Sequence, residues 1–332
     1  MATSATSATS ATSADAGADA GVDVLAELLD GVRARGALFR CACVDGPWSL
    51  RFAGGTPLTL VTMVRGRGWL LPDGGEPVAV EEGAVAVVRG RAPYTVADEP
   101  GAAPRTLVTA AAYCPPPGGD GIDVLAGTPV PNAAPEPAAM LLSGVYEARG
   151  SVSDRLLRAL PDVLVVPGAQ CGHPLLELLA QEIATTRPGR RTVLDRLLDL
   201  MLLAALRAWF DRPGAQSPPW YRAWDHPMVG PALRLLHDDP ARRWTVADLA
   251  ARTGVSRAAL ARHFTAEVGE PPMAYLASWR VDTAADLLLT TDDTVEAVAR
   301  RVGYANAFAL SVAFKRLRGI APAAHRAAHR SP

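Results

Sequence analysis

Downstream of Pro240 the chain carries one short pattern twice, about fifty residues apart, and this internal repeat constrains the fold more than any other feature. Each copy pairs a short amphipathic helix with a Gly-containing turn and a second helix. In the first copy Thr245 is placed to cap a helix with Asp248 at its third position. Val246, Leu249 and Ala250 give that helix its buried stripe and Gly254 ends it, after which Ser256 caps a helix over Arg257–Val268. In the second copy Thr294 caps Val295–Arg301, Gly303 ends it, and the next helix is expected over Ala305–Leu317. Between the copies the spacing of Tyr275, Leu276, Trp279, Ala284, Leu287 and Leu288 predicts one long helix from Pro272 to Leu289.

A long helix can hold two such units rigidly apart. Their second helices can then enter successive major-groove turns on one face of B-DNA, about 34 Å apart. Charge points the same way: from Asp225 to the end there are 14 Arg/Lys against 11 Asp/Glu, a basic part inside a chain of net charge −1.

Upstream, Ala37–Cys43, Leu58–Val64, Val78–Val80, Ala84–Val88, Tyr94–Val96 and Leu107–Ala112 are short apolar runs broken by Gly, Pro and Asp, the pattern of an all-β sandwich or barrel. The Pro-rich stretch from Cys114 to Glu136 excludes a helix. Helical spacing returns over Ser153–Leu160, Pro174–Thr186 and Arg191–Phe210, and a second breaker follows from Arg212 to Pro219. The expected organisation is a disordered tail over 1–22, a β domain over 23–136, and a helical linker or dimerisation segment over 137–212. A linker over 213–224 and an all-α domain over 225–332 complete it. The start, an Ala-Thr-Ser repeat, has neither the charge nor the apolar run of a secretion signal, and no stretch is long and apolar enough to span a membrane. The expected location is the cytoplasm.

The C-terminal residues resemble the AraC/XylS family of regulators over roughly Trp244 to Arg326. The match runs through Leu249-Ala250, Gly254, Phe264, Gly269, Pro272, Tyr275-Leu276, Trp279-Arg280, Val298-Ala299, Val302-Gly303-Tyr304, Ala313-Phe314-Lys315-Arg316, Gly319, Pro322 and Arg326. The resemblance implies that the exposed face of each second helix meets base edges: Ala258, Ala261 and Arg262 in the first unit, and Ala307, Phe308, Ser311 and Val312 in the second. Arg262 is the strongest of these, because arginine donates in bidentate fashion to guanine O6 and N7. Phe308 and Val312 depart from the polar residues often found there; they suit thymine methyls, with packing inside the unit as the alternative for Phe308. Ser256, Arg257, Lys315, Arg316 and Arg318 are read as phosphate contacts, which position without reading sequence.

Pro57–Asp98 resembles, more loosely, the cupin sensor domain often fused to this DNA-binding domain, through Val64-Arg65-Gly66, Trp69-Leu70, Gly75-Glu76-Pro77, Glu82-Gly83 and Val87-Val88-Arg89-Gly90. The expected fold class is therefore α+β: a cupin-like barrel with flanking helices, then two helix-turn-helix units joined by a long helix. Metal cupins use histidines and a carboxylate, but His173 is the only histidine before residue 226 and the expected ligand positions hold Val61 and Tyr94. No metal or other cofactor is expected. A small-molecule effector is expected instead, in a pocket lined by Val61, Met63, Trp69 and Tyr94. The partners implied are promoter DNA, the effector, RNA polymerase and a second copy of the chain.

The open alternatives are a redox or electrophile switch through Cys43, Cys114 or Cys171, and a cupin enzyme with a DNA-binding tail. Cys171, beside Gly172 and His173, reads as the more exposed thiol. No nucleophile, base and acid set is visible, so no catalytic residue is assigned.

Overall fold

The computed structural model describes residues 24–30, 32–34, 42–44, 47–108, 139–148, 150–171, 173–183, 187–214 and 217–330. The tail 1–22 and the whole Pro-rich stretch from Cys114 to Glu136 lie outside them. The strands are β1 (Val32–Ala34), β2 (Ala42–Val44), β3 (Ser49–Phe52), β4 (Leu58–Arg65), β5 (Gly68–Pro72), β6 (Val78–Val80), β7 (Val85–Arg89), β8 (Tyr94–Ala97), β9 (Thr106–Val108), β10 (Ala139–Ala148) and β11 (Val163–Val166). The helices are α1 (Val24–Asp30), α2 (Ser151–Ala159), α3 (Gly168–Cys171), α4 (His173–Ile183), α5 (Arg190–Phe210), α6 (Pro219–Trp224), α7 (Gly230–Asp238), α8 (Val246–Thr253), α9 (Arg257–Val268), α10 (Pro272–Thr290), α11 (Val295–Arg301), α12 (Ala307–Arg318) and α13 (Pro322–Arg330). The fold is α+β: a β-rich N-terminal region followed by a helical C-terminal one.

The strands make two sheets, one in the order β1-β10-β4-β7-β11 with β2 also on β10, the other in the order β6-β5-β8-β3-β9. Successive side chains on a strand point to opposite faces, and in the first sheet that alternation divides the apolar residues between two cores. Leu58, Leu60, Val85, Val87, Leu142, Tyr146, Leu164 and Val166 face one cluster, shared with α1, α2, α4 and α5. Val61, Met63, Ala86, Val88, Leu141 and Val145 face the other, shared with Leu50, Phe52, Leu70, Tyr94 and Val96 of the second sheet. β4 is thus buried on both faces, which is why apolar residues and buried threonines, with no charge before Arg65, fill it rather than an alternation of apolar and charged residues.

The segment 137–212 is not the helical linker read from the sequence. It starts with β10, whose pairing with β1, β2 and β4 places it inside the first sheet, and it later adds β11 at the sheet edge. Helix α5 then lies on β10 at Gly144, where an added Cβ would fall on the Leu198 side chain. The buried Tyr146 hydroxyl donates to the Leu198 carbonyl at 2.7 Å, fixing the helix along the strand. Nor is 213–224 a bare linker. Its second half is α6, with Trp220 and Ala223 buried and Trp220 edge-on to Phe210.

The apolar cluster on the helical side of the sheet continues without a break into the first helix-turn-helix unit, through Leu233, Leu236, Trp244, Leu249, Leu260, Phe264, Tyr275 and Trp279. The second unit has its own core of Val281, Ala284, Leu288, Val298, Leu310 and Phe314. Helix α10 therefore serves two cores, one at each end.

Polar contacts also tie the N-terminal region to α10. Gly150, which precedes α2, has no side chain to cap it; Asp286 of α10 does so instead, accepting from the Ser151 and Val152 backbone N–H groups. Burial pushes the Asp286 carboxyl up, against the pull of those hydrogen bonds. The Arg155 guanidinium lies over the Tyr275 ring, 4.8 Å from its centre. The buried His237 bridges Glu27 of α1 (2.7 Å) and the Tyr275 hydroxyl (2.8 Å).

Candidate nucleic-acid interface

Both units form by the local chemistry read above. Thr245 accepts from the Asp248 N–H at 3.1 Å, while the Asp248 carboxylate accepts from the Thr245 N–H at 3.1 Å, closing a capping box. The Thr245 hydroxyl bond holds the Asp248 carboxyl below its ordinary value. Gly254 ends α8 in the left-handed region, and Ser256 caps α9 through the Ala259 N–H. In the second unit Thr294 caps α11, but the following helix starts at Ala307 rather than Ala305, because Asn306 accepts from the Ala309 N–H at 2.9 Å. Asn is among the strongest N-caps, so residue type alone held that signal. Glu296 reaches from α11 to accept from the Ala307 N–H at 2.7 Å, and this bond, with Arg300, keeps its carboxyl low. That contact orients the second helix against the first, and no spacing rule reveals it.

Two arginines that belong to the motif work inside the domain. Arg280 donates to the Pro240 and Arg242 carbonyls at 2.6 Å each, and Arg326 donates to those of Leu288 and Asp293. Each ties a carbonyl outside the regular helical bonding to a neighbouring helix, Arg280 joining α10 to the loop before α8 and Arg326 joining α13 to the end of α10 and the loop before α11.

The outward faces of α9 and α12 carry most of the expected DNA residues. Ala258, Arg262, Ser256 and Arg257 are exposed and Ala261 is half-buried. Among the described residues Arg262 reaches only His263, at 3.4 Å. On α12 Phe308 is 78 % and Val312 55 % exposed, so the alternative that Phe308 packs inside its unit does not hold. Ala307 and Ser311 are half-buried beside them, and Lys315 and Arg316 are exposed. Arg318 is different: its guanidinium donates to Asp282 of α10 at 2.8 Å and sits partly buried. The last turn of α12 points back at its own domain there, and the reading of Arg318 as a phosphate contact is corrected accordingly.

In the β domain Val61, Met63 and Tyr94 are buried in the core between the sheets, and Tyr94 stacks on Phe52 with ring centres 4.8 Å apart. Trp69 is half-buried and alternates with Leu70, whose side chain takes the inward face of β5. The four expected pocket residues therefore do not share one wall. Among the described residues no group of three His, Cys, Asp or Glu could hold a metal ion.

Cys171 is buried, not exposed, and burial pushes its thiol up to about 11. Cys43 lies on β2 opposite Met140; its side chain, like all of Cys114, lies outside the described residues. In the native protein at pH 8, Cys171 is expected to alkylate slower than an exposed thiol by on the order of a hundredfold. Mass-resolved labelling with iodoacetamide, against a urea-unfolded control, measures this, and equal rates would contradict it. The same shift makes the folded state favour the protonated thiol. Its contribution is complete below the unfolded value of about 8.5 and is lost as pH rises toward the folded one.

A family profile described as cupin matches residues 23–211, and one described as a helix-turn-helix domain matches residues 249–328. A putative AraC-like transcription regulator of Streptomyces lividans is 32 % identical over 311 residues, covering 92 % of this chain and 98 % of that protein. The chain belongs to the AraC-like transcription regulators. A second such regulator, from Streptomyces antibioticus, is 30 % identical over 92 % of this chain and 98 % of its own length. The transcriptional regulator AlkR of Acinetobacter baylyi is 31 % identical over 59 % of this chain and 57 % of its own length. This AraC-like protein is accordingly a DNA-binding transcription regulator with a cupin domain, and no helix among its described residues is long and apolar enough to cross a membrane.

Proposed function

We propose that this regulator reads its operator through two chemically different helix faces. The observation that carries the reading is the exposure of Arg262 on α9 and of Phe308 with Val312 on α12, at the outer surfaces of two units held by one helix. α9 then reads a guanine through Arg262, with Ala258 and Ala261 allowing close approach to the groove. α12 reads thymine methyls through Phe308 and Val312, beside Ala307 and Ser311. Ser256, Arg257, Lys315 and Arg316 bind phosphates. A small-molecule effector acts on the cupin domain, which 23–211 delimits better than 23–136 because β10 and β11 complete its first sheet. The protein acts by binding, in the cytoplasm, where promoter DNA and RNA polymerase are met. A homodimer is supported by the exposed Leu178 on α4 and Leu200 on α5.

Arg262→Ala is expected to cost about 1–3 kcal/mol on the specific site and to relax preference at one base pair. Lys315→Ala is expected to weaken specific and random duplexes alike and to lower the salt slope by about one. Replacing thymine by uracil in the half-site under α12 is expected to weaken wild type but not a Phe308→Ala, Val312→Ala variant. Fluorescence anisotropy over a salt series reads all three; equal losses on specific and random DNA for Arg262→Ala would move it to the phosphate class.

A further inference from the structure

Between α2 and the second helix-turn-helix unit lies a cleft of about 730 Å³, within the usual range for small-molecule sites. From α2 it is lined by Arg155 and Arg158, three residues apart and hence on one helix face. From the last turn of α12 and the residues after it come Leu317, Arg318 and Ile320.

The guanidiniums are incompletely used. Arg155 lies over the Tyr275 ring, and among the described residues its polar partners are all long: Ser278 Oγ at 3.5 Å, Glu270 at 3.4 Å and Asp282 at 3.7 Å. Arg158 is exposed and forms no hydrogen bond or salt bridge among the described residues. Arg318 gives one N–H to Asp282, while its Nε is buried with no partner among the described residues. Arg155, Arg158 and Arg318 therefore surround the buried Asp282, Arg155 also meets Glu270, and the other carboxylate lining the cleft, Asp154, is exposed. Beside them Leu317 and Ile320 are among the few large apolar side chains that the fold leaves exposed, at 45 % and 41 %.

We propose that this cleft binds an organic oxyanion, a carboxylate or phosphate carried on an apolar body. Guanidinium forks match planar or tetrahedral oxyanions through paired N–H bonds, and the free donors of Arg155 and Arg158 supply them. The body covers Leu317 and Ile320, which otherwise face water. Such a ligand touches α2 and the end of α12 together, so it favours the arrangement in which the two are docked over any in which they part.

The test is titration calorimetry on the full chain without DNA, using 1-naphthyl phosphate, 1-naphthoate and inorganic phosphate. Saturable binding of at least one naphthyl compound is expected, with the tighter of the two naming the head group and inorganic phosphate weaker by about tenfold. Arg158→Glu and Ile320→Asp change exposed side chains, so both should melt as wild type does, and each should weaken the naphthyl compound by about tenfold. No saturable binding up to millimolar concentration overturns the proposal, as does unchanged affinity in either variant. Equal affinity for inorganic phosphate removes the apolar body from it.

Discussion

A chain beginning at Pro240 is expected to lose cooperative folding and DNA binding, whereas one beginning at Ser217 is expected to keep both. The repeat starts after Pro240, so its residues alone suggest that the shorter piece is complete. The structure places Trp220, Ala223, Val229, Ala232, Leu233 and Leu236 in the same apolar cluster as Leu249, Leu260 and Phe264, with α6 packed on α9 and α7 on α8. His237, which bonds the buried Tyr275 hydroxyl, is removed by the same cut. Burying a large apolar side chain is worth about 1.5–3 kcal/mol, and a domain's whole stability is only about 5–15 kcal/mol. Losing several such residues therefore exceeds what the fragment can spare. Urea unfolding followed by circular dichroism, with anisotropy on duplex DNA over a salt series, decides it. Cooperative unfolding of the shorter chain would show that the first unit closes without α6 and α7. A well-folded longer chain with no salt-sensitive binding would contradict the assignment of the interface itself.

Gly303→Ala is expected to destabilise the second unit by about 2–5 kcal/mol, against about 1 kcal/mol for Gly254→Ala. The two glycines hold equivalent places in the repeat and both have positive φ, 87° and 69°, a backbone region that costs an L-residue about 1–2 kcal/mol. Their surroundings differ. A Cβ at Gly254 would meet nothing within 4 Å, whereas one at Gly303 would fall on the Ala241 backbone and its carbonyl oxygen. Backbone cannot rotate away as a side chain can, so an overpacking cost of about 1–3 kcal/mol adds to the conformational one. Ala241 sits in the loop just before the first unit and Gly303 follows the first helix of the second, so this contact holds the second unit against the segment that leads into the first. Thermal melts of the two variants should separate by several degrees, in that order. Matching melts would show that the Ala241 segment moves aside at little cost.

How much of this was legible without coordinates depended on how far apart in the chain the deciding groups lie. The caps at Thr245, Ser256 and Thr294, the long helix between the units and the apolar runs of β4, β6, β7 and β8 follow from neighbours a few residues apart. A hydroxyl that accepts an N–H three residues on, or an alternation of period two, needs no distant partner. The family motif also named the outward residues of α9 and α12. Residues whose role depends on a distant partner were misplaced. β10 looks no more like a strand than like a helix until β1 and β4 offer their edges to it, and α6 looks like linker until Phe210 packs on Trp220. Trp69 and Tyr94 are parted by which way β5 and β8 face. Arg318 resembles Lys315 and Arg316 in sequence, yet it donates to Asp282, 36 residues away, and turns toward its own domain. The sequence by itself determined the two helix-turn-helix units and their spacing helix, because those rest on local hydrogen bonding and periodicity. Only the tertiary structure decided which basic residues are held by a carboxylate, which later strands complete the first sheet and how Asp286 and His237 fasten the N-terminal region to α10, because each of those is settled by a partner that no local pattern specifies.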